Sequence, residues 1–548
     1  MPQLKLGSTR GCCCQIFRRG SAQTLRRTHW LAGLLFACIC LTLAGFLNTE
    51  FLGSITTVPP FGLEKTFNTI HTADNDLDTP GAFLRSPPQT IVAYSLERQV
   101  EMEQREQIVC NNLLGMRPMS SQIHRINAYW QSPPHSGLHL FSAHYDARLD
   151  NYHYVRIISM VEGHRNASIY CQIWYDREVL VLEALRLDIW ASQWDSNASI
   201  DSDNPVMFSC PVPRNISIDT VKRERFPLGV SVTMKPCESP RTFLPIHTPQ
   251  ISSSESRRDF AVCVKGLDFQ RRDMSVRIAE WLELNLILGA DKFFVYVYSV
   301  HPNLKRVLEY YSSIGVLEVI PLSLPGKQPN RPRQRSRYLK TNLWQKRRDE
   351  LVPYNDCYYR NLYSHRFVLP VDVDEVIVPV KTSTWNAMFQ ELFSENPNLL
   401  DKYSSFSVRN AYFFDDFPVT DQSDVPKYHH ILRHTTRSAN FSPGLESVKS
   451  FVSTDGALTV FNHYTLRILR PSTARNLVLD INVAQMNHYR ATCSSDTVPG
   501  CHNNFLKYKK RDALVLRYAN QLRPSKCRTR AVDYRTPHGV NRRLHSNC

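Results

Sequence analysis

Two aspartates separated by one residue, Asp372 and Asp374, end an apolar run within HRFVLPVDVDEVIVPV, residues 365–380. If the backbone stays extended there, alternate residues point to one side and both carboxylates face the same way. Hard oxygen ligands of this kind suit Mg2+ or Mn2+, and such a cation suits a diphosphate. Acidic pairs also end solvated strands with no ligand at all. The buried strand before this pair favours the metal, because open α/β sheets bind ligands beyond the carboxyl ends of their strands. Glu375 either orients the pair from behind or forms a plain salt bridge.

The elements that must position these acids are legible from periodicity. AVCVKG, from Ala261, is a buried strand. The next segment sets Ile278, Trp281, Leu282 and Leu286 at i, i+3, i+4 and i+8, the stripe of an amphipathic helix that stops at Gly289. FFVYVYSV is a strand, LKRVLEYYSSIG a helix ending near Gly315, and VLEVIPL a third strand. Such alternation predicts an α/β fold, a mostly parallel sheet covered by helices. Upstream, residues 91–250 hold short aromatic or β-branched segments broken by Pro, Asn and Gly, which predicts a separate antiparallel β-rich domain. The Ser-rich stretch ISSSESRRD links the two regions. From Lys327 to Arg348 there are nine Lys or Arg and no acid, either a solvated mobile loop or a lid that steers an acceptor.

The whole chain has 548 residues, a formal net charge of +16, 42% hydrophobic and 21% charged residues. This composition is globular, and the length calls for two or more domains. No zinc-finger spacing, RNP-type strand or heptad basic region accompanies the charge, so nucleic acid is not the partner; nucleotide phosphates and anionic membranes suit it better. Residues 1–29 carry Lys5, Arg10, Arg18, Arg19, Arg26 and Arg27 and no acid, and Trp30 to Leu47 contains no charge at all. That run makes a helix of ~27 Å, enough for a thin secretory membrane. The basic flank puts 1–29 in the cytosol, 30–47 across the membrane as a signal-anchor, and the rest in the lumen. A cleaved signal peptide is the competing reading, disfavoured by the long leader. Cys12, Cys13 and Cys14 are either palmitoylated or free thiols. Residues 48–90, rich in Pro, read as a stem, and 529–548 as a C-terminal tail. Ten cysteines follow the anchor with no CxxC pair, which favours disulfides in an oxidising compartment. Glycosylation sequons stand at Asn166, Asn197, Asn215 and Asn440.

CVKGLDFQRRDMSVRIAEWLELNLILGADKFFVYVYS, YNDCYYRNLYSHRFVLPVDVDEVIVP, LESVKSFV and NHYR together resemble glycosyltransferase family 92. SAHYDAR extends the resemblance upstream, to about residues 91–500 in all, with the transferase domain itself at 259–528. The family is similar to GT-A enzymes and includes β-1,4-galactosyltransferases and galactan synthases. The resemblance implies an inverting enzyme that transfers galactose from UDP-galactose with Mn2+ (or Mg2+); joined to the topology read from the leader, the expectation is a type II Golgi membrane enzyme acting on a glycan acceptor of a glycoprotein or glycolipid. Asp372 and Asp374 match its acidic triplet, and His488, Tyr489 and Arg490 its late His-Tyr-Arg element. GT-A enzymes often add a late histidine to the metal shell, so the resemblance implies His488 as third ligand, with His463 as runner-up.

Lys265 and Gly266 leave the first strand where GT-A folds contact the nucleotide, and Asp356 with Arg360 either helps hold UDP or forms a surface ion pair. Trp281 matches a family feature and also fits a core position. Asp415, Asp416 and Glu446 lie where a carboxylate must remove the acceptor proton, with Glu446 and Asp416 carried forward as catalytic candidates. The segment AYFFDDFPV lacks the glycine that the family has after an aromatic, so the acceptor loop differs. A carbohydrate-binding or scaffolding protein without turnover is the rival reading; a lumenal metallohydrolase is disfavoured because no HExxH occurs. Reporters fused to each end are expected to place residues before Trp30 in the cytosol and the C-terminus in the lumen. An N-terminus found in the lumen together with a glycosylated Asn166 would overturn this topology.

Overall fold

A computed structural model describes residues 107–522, except 111–116, 151, 164–167, 177, 191–201, 214–225, 250–255, 420–424, 495–497 and 499. The expected anchor 30–47, the stem 48–90, the tail 529–548 and the sequons at Asn166, Asn197 and Asn215 lie outside the described residues. Among the described residues no helix is long and apolar enough to cross a membrane.

The aromatic and β-branched segments upstream form eight strands: β1 (Leu138–Asp146), β2 (Tyr152–Glu162), β3 (Tyr170–Trp174), β4 (Val179–Glu183), β5 (Leu185–Asp188), β6 (Asp203–Pro213), β7 (Gly229–Thr233) and β8 (Leu244–His247). Their order is β4-β3-β7-β8-β1-β2-β6-β5, and every pairing is antiparallel except that of β1 with β8. Cys171 on β3 and Cys210 on β6 are joined with their Cα atoms 6.2 Å apart, although β7, β8, β1 and β2 separate these strands in the order. The sheet therefore folds over on itself, around a core that includes Leu140, Val155, Ile157, Phe208 and Val230. Cys110 pairs with Cys237 and Cys493 with Cys501.

The strand–helix alternation follows as predicted: β9 (Arg258–Phe269), α1 (Ser275–Leu288), β10 (Lys292–Val300), α2 (Pro302–Ser313) and β11 (Leu317–Pro321). Gly289 ends α1 at φ 121°, a conformation that disfavours side chains, and its N–H reaches Asn285 O and Leu286 O. Next come α3 (Pro332–Thr341), α4 (Leu343–Asp349), α5 (Leu351–Arg360), β12 (His365–Pro370), β13 (Glu375–Pro379), α6 (Trp385–Glu395), β14 (Ser405–Val408), β15 (Asn410–Phe414), β16 (Thr436–Ser438), β17 (Lys449–Ser453), β18 (Ala457–Val460), β19 (Thr465–Ile468), β20 (Leu477–Val478), β21 (Ala484–Arg490) and β22 (Lys509–Arg511). The main sheet runs β11-β10-β9-β12-β17-β14-β20. Its first four strands are parallel, while β17 is antiparallel to both neighbours, so the fold is mixed α/β. A second sheet, β13-β21-β15, receives the chain after β12.

Two expectations meet a different arrangement. Most of the basic run is helical rather than loop: it forms α3 and α4, with Arg335 and Arg348 buried while Lys327, Arg331, Arg333, Arg337 and Lys340 stay exposed. Arg335 donates to Asp268 Oδ1 at 2.9 Å, and Arg348 lies over the Trp190 ring. The core also crosses the expected domain boundary. One apolar cluster holds Ile158, Met160 and Met207 from the β-rich region with Cys263, Phe294, Tyr354 and Tyr358. Helix α5, buried from Leu351 to Tyr359, forms the seam, and Cys263–Cys357 ties it to β9. At its centre Asp356 accepts from His144 Nε2 of β1 at 2.9 Å, Arg360 Nε at 2.7 Å and Tyr296 OH.

Several histidines along this interior are neutral. Burial lowers His247 to about 4, with His144 and Arg360 adding to it. Burial likewise lowers His365 to about 4, helped by Arg258 and Lys292. In an unfolded chain histidine protonates near pH ~6.5, so between there and pH ~4 the unfolded state binds more protons. Stability then rises with pH across that window and is lost as pH falls. Thermal unfolding is expected to show a Tm that drops most steeply below about pH 6.5, with a shallower slope in His247→Gln; a level Tm across the window would contradict the neutral imidazoles.

Candidate active site

Strand β12 runs parallel to β9, and Val371 N still bonds to Cys263 O at 3.1 Å. The extended backbone then ends. Glu375 N donates to Asp372 O at 3.0 Å, closing a turn over residues 372–375, because β13 leaves the main sheet to pair with β21. The expectation that Asp372 and Asp374 are alternate positions of one extended strand is thus corrected. The turn separates their surroundings: the Asp372 side chain is 26% exposed and that of Asp374 48%.

Asp372 is clamped by cations. Lys265 Nζ lies 3.1 Å from its Oδ1 and 3.0 Å from Glu350 Oε1; Lys449 Nζ lies 3.8 Å from its Oδ2 and 3.1 Å from Glu375 Oε2. Tyr354 OH adds a long contact of 3.4 Å. Burial alone would raise the Asp372 carboxyl, but Lys265 and Lys449 more than offset it and hold it well below the usual carboxylate range. Burial would also lower Lys265, and the Asp372 and Glu350 carboxylates raise it instead. Glu375 is different: burial raises its pKa despite Lys449. Its Oε2 accepts the Asp372 backbone N–H at 2.9 Å, so it shapes the turn from behind.

Asp374 has no lysine or arginine in ion-pair range among the described residues, and its Oδ2 faces His488 Nε2 at 3.8 Å. His488 stands opposite Glu375 on β21 and beside Tyr412 on β15. Its Nδ1 accepts from Asn410 Nδ2 at 3.1 Å, an arrangement that leaves the ring proton on Nε2. Asn410 Oδ1, however, is buried without a hydrogen-bond partner. Turning the amide would let that oxygen accept from Nδ1–H and free the Nε2 lone pair. Asp374 and His488 therefore fit a divalent cation, while Asp372 would join only by giving up a lysine.

The other predicted residues divide. Lys265 belongs to the cluster. Gly266 serves packing: a Cβ there would meet the Tyr298 ring at 2.3 Å. Asp356 and Arg360 form the interior network at α5, and Asp356 is fully buried rather than on a surface. His463 donates Nδ1–H to Val448 O at 2.8 Å; burial and Lys449 lower it to about 3. Trp281 is core, yet its Nε1 donates to Glu375 O at 2.7 Å and so steadies the turn. Tyr489 N bonds to Asp374 O at 2.8 Å. Glu446 is half-buried, and burial raises its pKa. Burial chiefly raises the Tyr412 hydroxyl too, against the lowering effect of Ser447 and Arg490. Asp416 is exposed in the turn after β15 and makes no side-chain hydrogen bond or ion pair among the described residues. Asn440 is exposed, with Nδ2 donating to Asn504 O.

Sequence reasoning missed Lys449, Glu350 and Tyr354. The crowding of three acids in residues 372–375 was the available signal, since buried carboxylates need cations from elsewhere. Lys449→Met would leave Asp372 and Glu375 without that ammonium. An unpaired buried charge costs about 3–5 kcal/mol, and denaturant unfolding is expected to show a loss on that scale; a loss below about 1 kcal/mol would mean that Lys449 does not compensate the acids.

Residues 258–529 match the model of glycosyltransferase family 92. Over 276 residues, 50% of this chain, the sequence is 24% identical to the β-1,4-galactosyltransferase galt-1 of Caenorhabditis elegans, and the match spans 58% of that protein's length. A crystal structure of S. aureus TarS, residues 1–349, aligns over 42% of this chain and 60% of its own at 14% identity, with a TM-score of 0.22. That last likeness is too slight to bear on the fold. The family match runs from the first residue of β9 past β21 and carries Lys265, the acidic turn, Lys449 and His488, and through it this chain belongs to glycosyltransferase family 92.

Proposed function

We propose that this protein is a glycosyltransferase that moves galactose from UDP-galactose to a hydroxyl of a glycan acceptor, with inversion at the anomeric carbon. One observation carries the reading: at the end of β12, Asp372 is neutralised by two lysines while Asp374 stays open toward His488. That combination suits a pre-shaped seat for a cation and a diphosphate. Asp374 and His488 would hold the metal, Mn2+ by the hard oxygen and imidazole donors, and when bound it supplies Lewis-acid neutralisation of the departing diphosphate. Lys265 lies beside the same turn, paired with Asp372 and Glu350, and would meet a phosphate oxygen only by exchanging one of those carboxylates for it. In the transfer the acceptor oxygen forms a bond to the anomeric carbon as the bond from that carbon to UDP breaks. A carboxylate takes the acceptor proton. Glu446 suits this role, because burial raises its pKa and brings it nearer to neutral.

The proposed setting is the Golgi lumen, with the chain held by one N-terminal helix. The four disulfides among the described residues support an oxidising secretory compartment, and Asn440 of the fourth sequon is exposed. Galactose and the β-1,4 linkage rest on the likeness to the nematode β-1,4-galactosyltransferase.

The test uses the full chain with UDP-galactose and Mn2+. Asp374→Asn is expected to lower transfer by at least ~100-fold, the scale of losing a central electrostatic contact. Its Tm without metal should barely move, and the stabilisation by Mn2+ plus UDP should vanish, since a ligand stabilises only as it binds. Normal turnover in Asp374→Asn would refute the metal role; turnover of a different UDP-sugar alone would reassign the donor.

A further inference from the structure

Asp415, just beyond β15, meets two histidines from the loop that follows Val425. His430 Nε2 lies 3.0 Å from Asp415 Oδ1, and His434 Nε2 lies 3.3 Å from the same oxygen. The two imidazole centroids are 4.0 Å apart, and all three donor atoms fall within 4.8 Å of one another. The side chains of His430 and His434 are 13% and 10% exposed and that of Asp415 33%, so the cluster is seated in the protein but open on one side. None of these residues belongs to the acidic turn.

The proton positions make the cluster unusual. His434 Nδ1 lies 2.7 Å from His430 O, and a carbonyl can only accept, so Nδ1 carries the hydrogen. In a neutral ring the Nε2 lone pair then points at a carboxylate oxygen 3.3 Å away. Two acceptors face each other, and something positive must lie between them: either a second proton on His434 or a metal ion. The 3.3 Å between His434 Nε2 and Asp415 Oδ1 matches a metal, and the 3.0 Å from His430 Nε2 is a little shorter. Ligands about 2.0–2.1 Å from tetrahedral zinc lie about 3.3–3.4 Å from one another. The rest of the arrangement is what ligand supports usually provide. His434 donates its other nitrogen to a backbone carbonyl, and Arg277 holds the opposite carboxylate oxygen, Oδ2, at 3.5 Å, leaving Oδ1 for the ion. The loop itself is fixed from below. Glu280 is buried and accepts from His430 N at 2.7 Å, Ile431 N at 3.0 Å and Leu432 N at 3.3 Å, and it meets His429 Nδ1 at 3.1 Å.

We propose that Asp415, His430 and His434 form a second metal site that binds Zn2+, with water in the open position. Two imidazoles and one carboxylate are a donor set suited to zinc. The ion braces the 429–434 loop against the end of β15. Asp415 N bonds to Arg490 O at 2.9 Å, two residues beyond His488 on β21, so the brace stiffens the rim next to the acidic turn. The proposal does not depend on the sugar or on the acidic turn.

The experiment strips the purified full chain with chelator, then titrates Zn2+ alone by calorimetry, with metal content read by mass spectrometry. The Asp374→Asn background removes binding at the acidic turn. In that background one zinc is expected at sub-micromolar affinity, with a rise in Tm and, after Co2+ substitution, visible bands of a four-coordinate nitrogen and oxygen site. Adding His434→Gln should weaken zinc at least ~100-fold. Adding Asp415→Asn, at a part-exposed position that poses little threat to folding, should weaken it by a similar order. If the Asp374→Asn chain takes up no zinc, the proposal fails and the cluster is a protonated His434 paired with Asp415. Zinc held equally well by both added variants also overturns it.

Discussion

Three carboxylates on a four-residue turn, at the end of a buried strand, cannot stand without positive charge from outside the turn. The sheet order supplies it. β12 lies between β9 and β17, and each neighbour contributes one lysine, Lys265 and Lys449. Parallel β9 reaches Lys265 just after Cys263, which pairs with Pro370; antiparallel β17 starts at Lys449, beside the same end of β12. The reversal of direction at β17 is therefore what brings a second cation to the acids. An all-parallel arrangement would put the start of that strand at the far end of the sheet.

The amphipathic helix α1 couples this turn to a second region. Neighbouring helix residues point about 100° apart, so Glu280 and Trp281 serve different partners. Trp281 hydrogen-bonds the Glu375 carbonyl, while Glu280 caps the backbone of 430–432. A buried carboxylate that accepts several backbone N–H groups is well satisfied and fixes the loop it caps. One turn of helix thus holds both the acidic turn and the histidine loop in place.

Much of this was legible in the sequence, and the part that was not has a common cause. Alternating strand and helix patterns located β9, α1, β10, α2 and β11, and Gly289 marked a helix end, because these follow from local periodicity and backbone freedom. The acids at 372 and 374 were visible for the same reason, as polar residues ending an apolar run. Their geometry was not, since the turn depends on where β13 finds its partner β21, more than a hundred residues away in sequence. The arginines of the basic run looked solvated, yet Arg335 pairs with Asp268 from β9 and Arg348 lies on Trp190 from the β-rich region. Asp356 looked like a ligand group and is an interior anchor for His144. In each case a charged residue's fate was decided by a distant partner that local pattern does not name.

The division between Asp372 and Asp374 has a physical logic of its own. A carboxylate already paired with two ammonium groups gains little from a cation and would lose those pairs on binding one. A half-exposed carboxylate without such a partner is still hydrated and keeps its charge available. Placing one of each on a single turn separates two tasks: Asp372, with Glu375 behind it, fixes the backbone, and that backbone aims Asp374 at His488. If all the acids were left open, their mutual repulsion in a partly buried site would push their pKa values up and the turn apart. If all were paired, no charge would remain for a ligand. The lysines thus stabilise the turn's shape while leaving one acid uncommitted, and the orphaned Asn410 oxygen beside His488 shows that the opposite wall of the same site also holds an unspent hydrogen-bonding capacity.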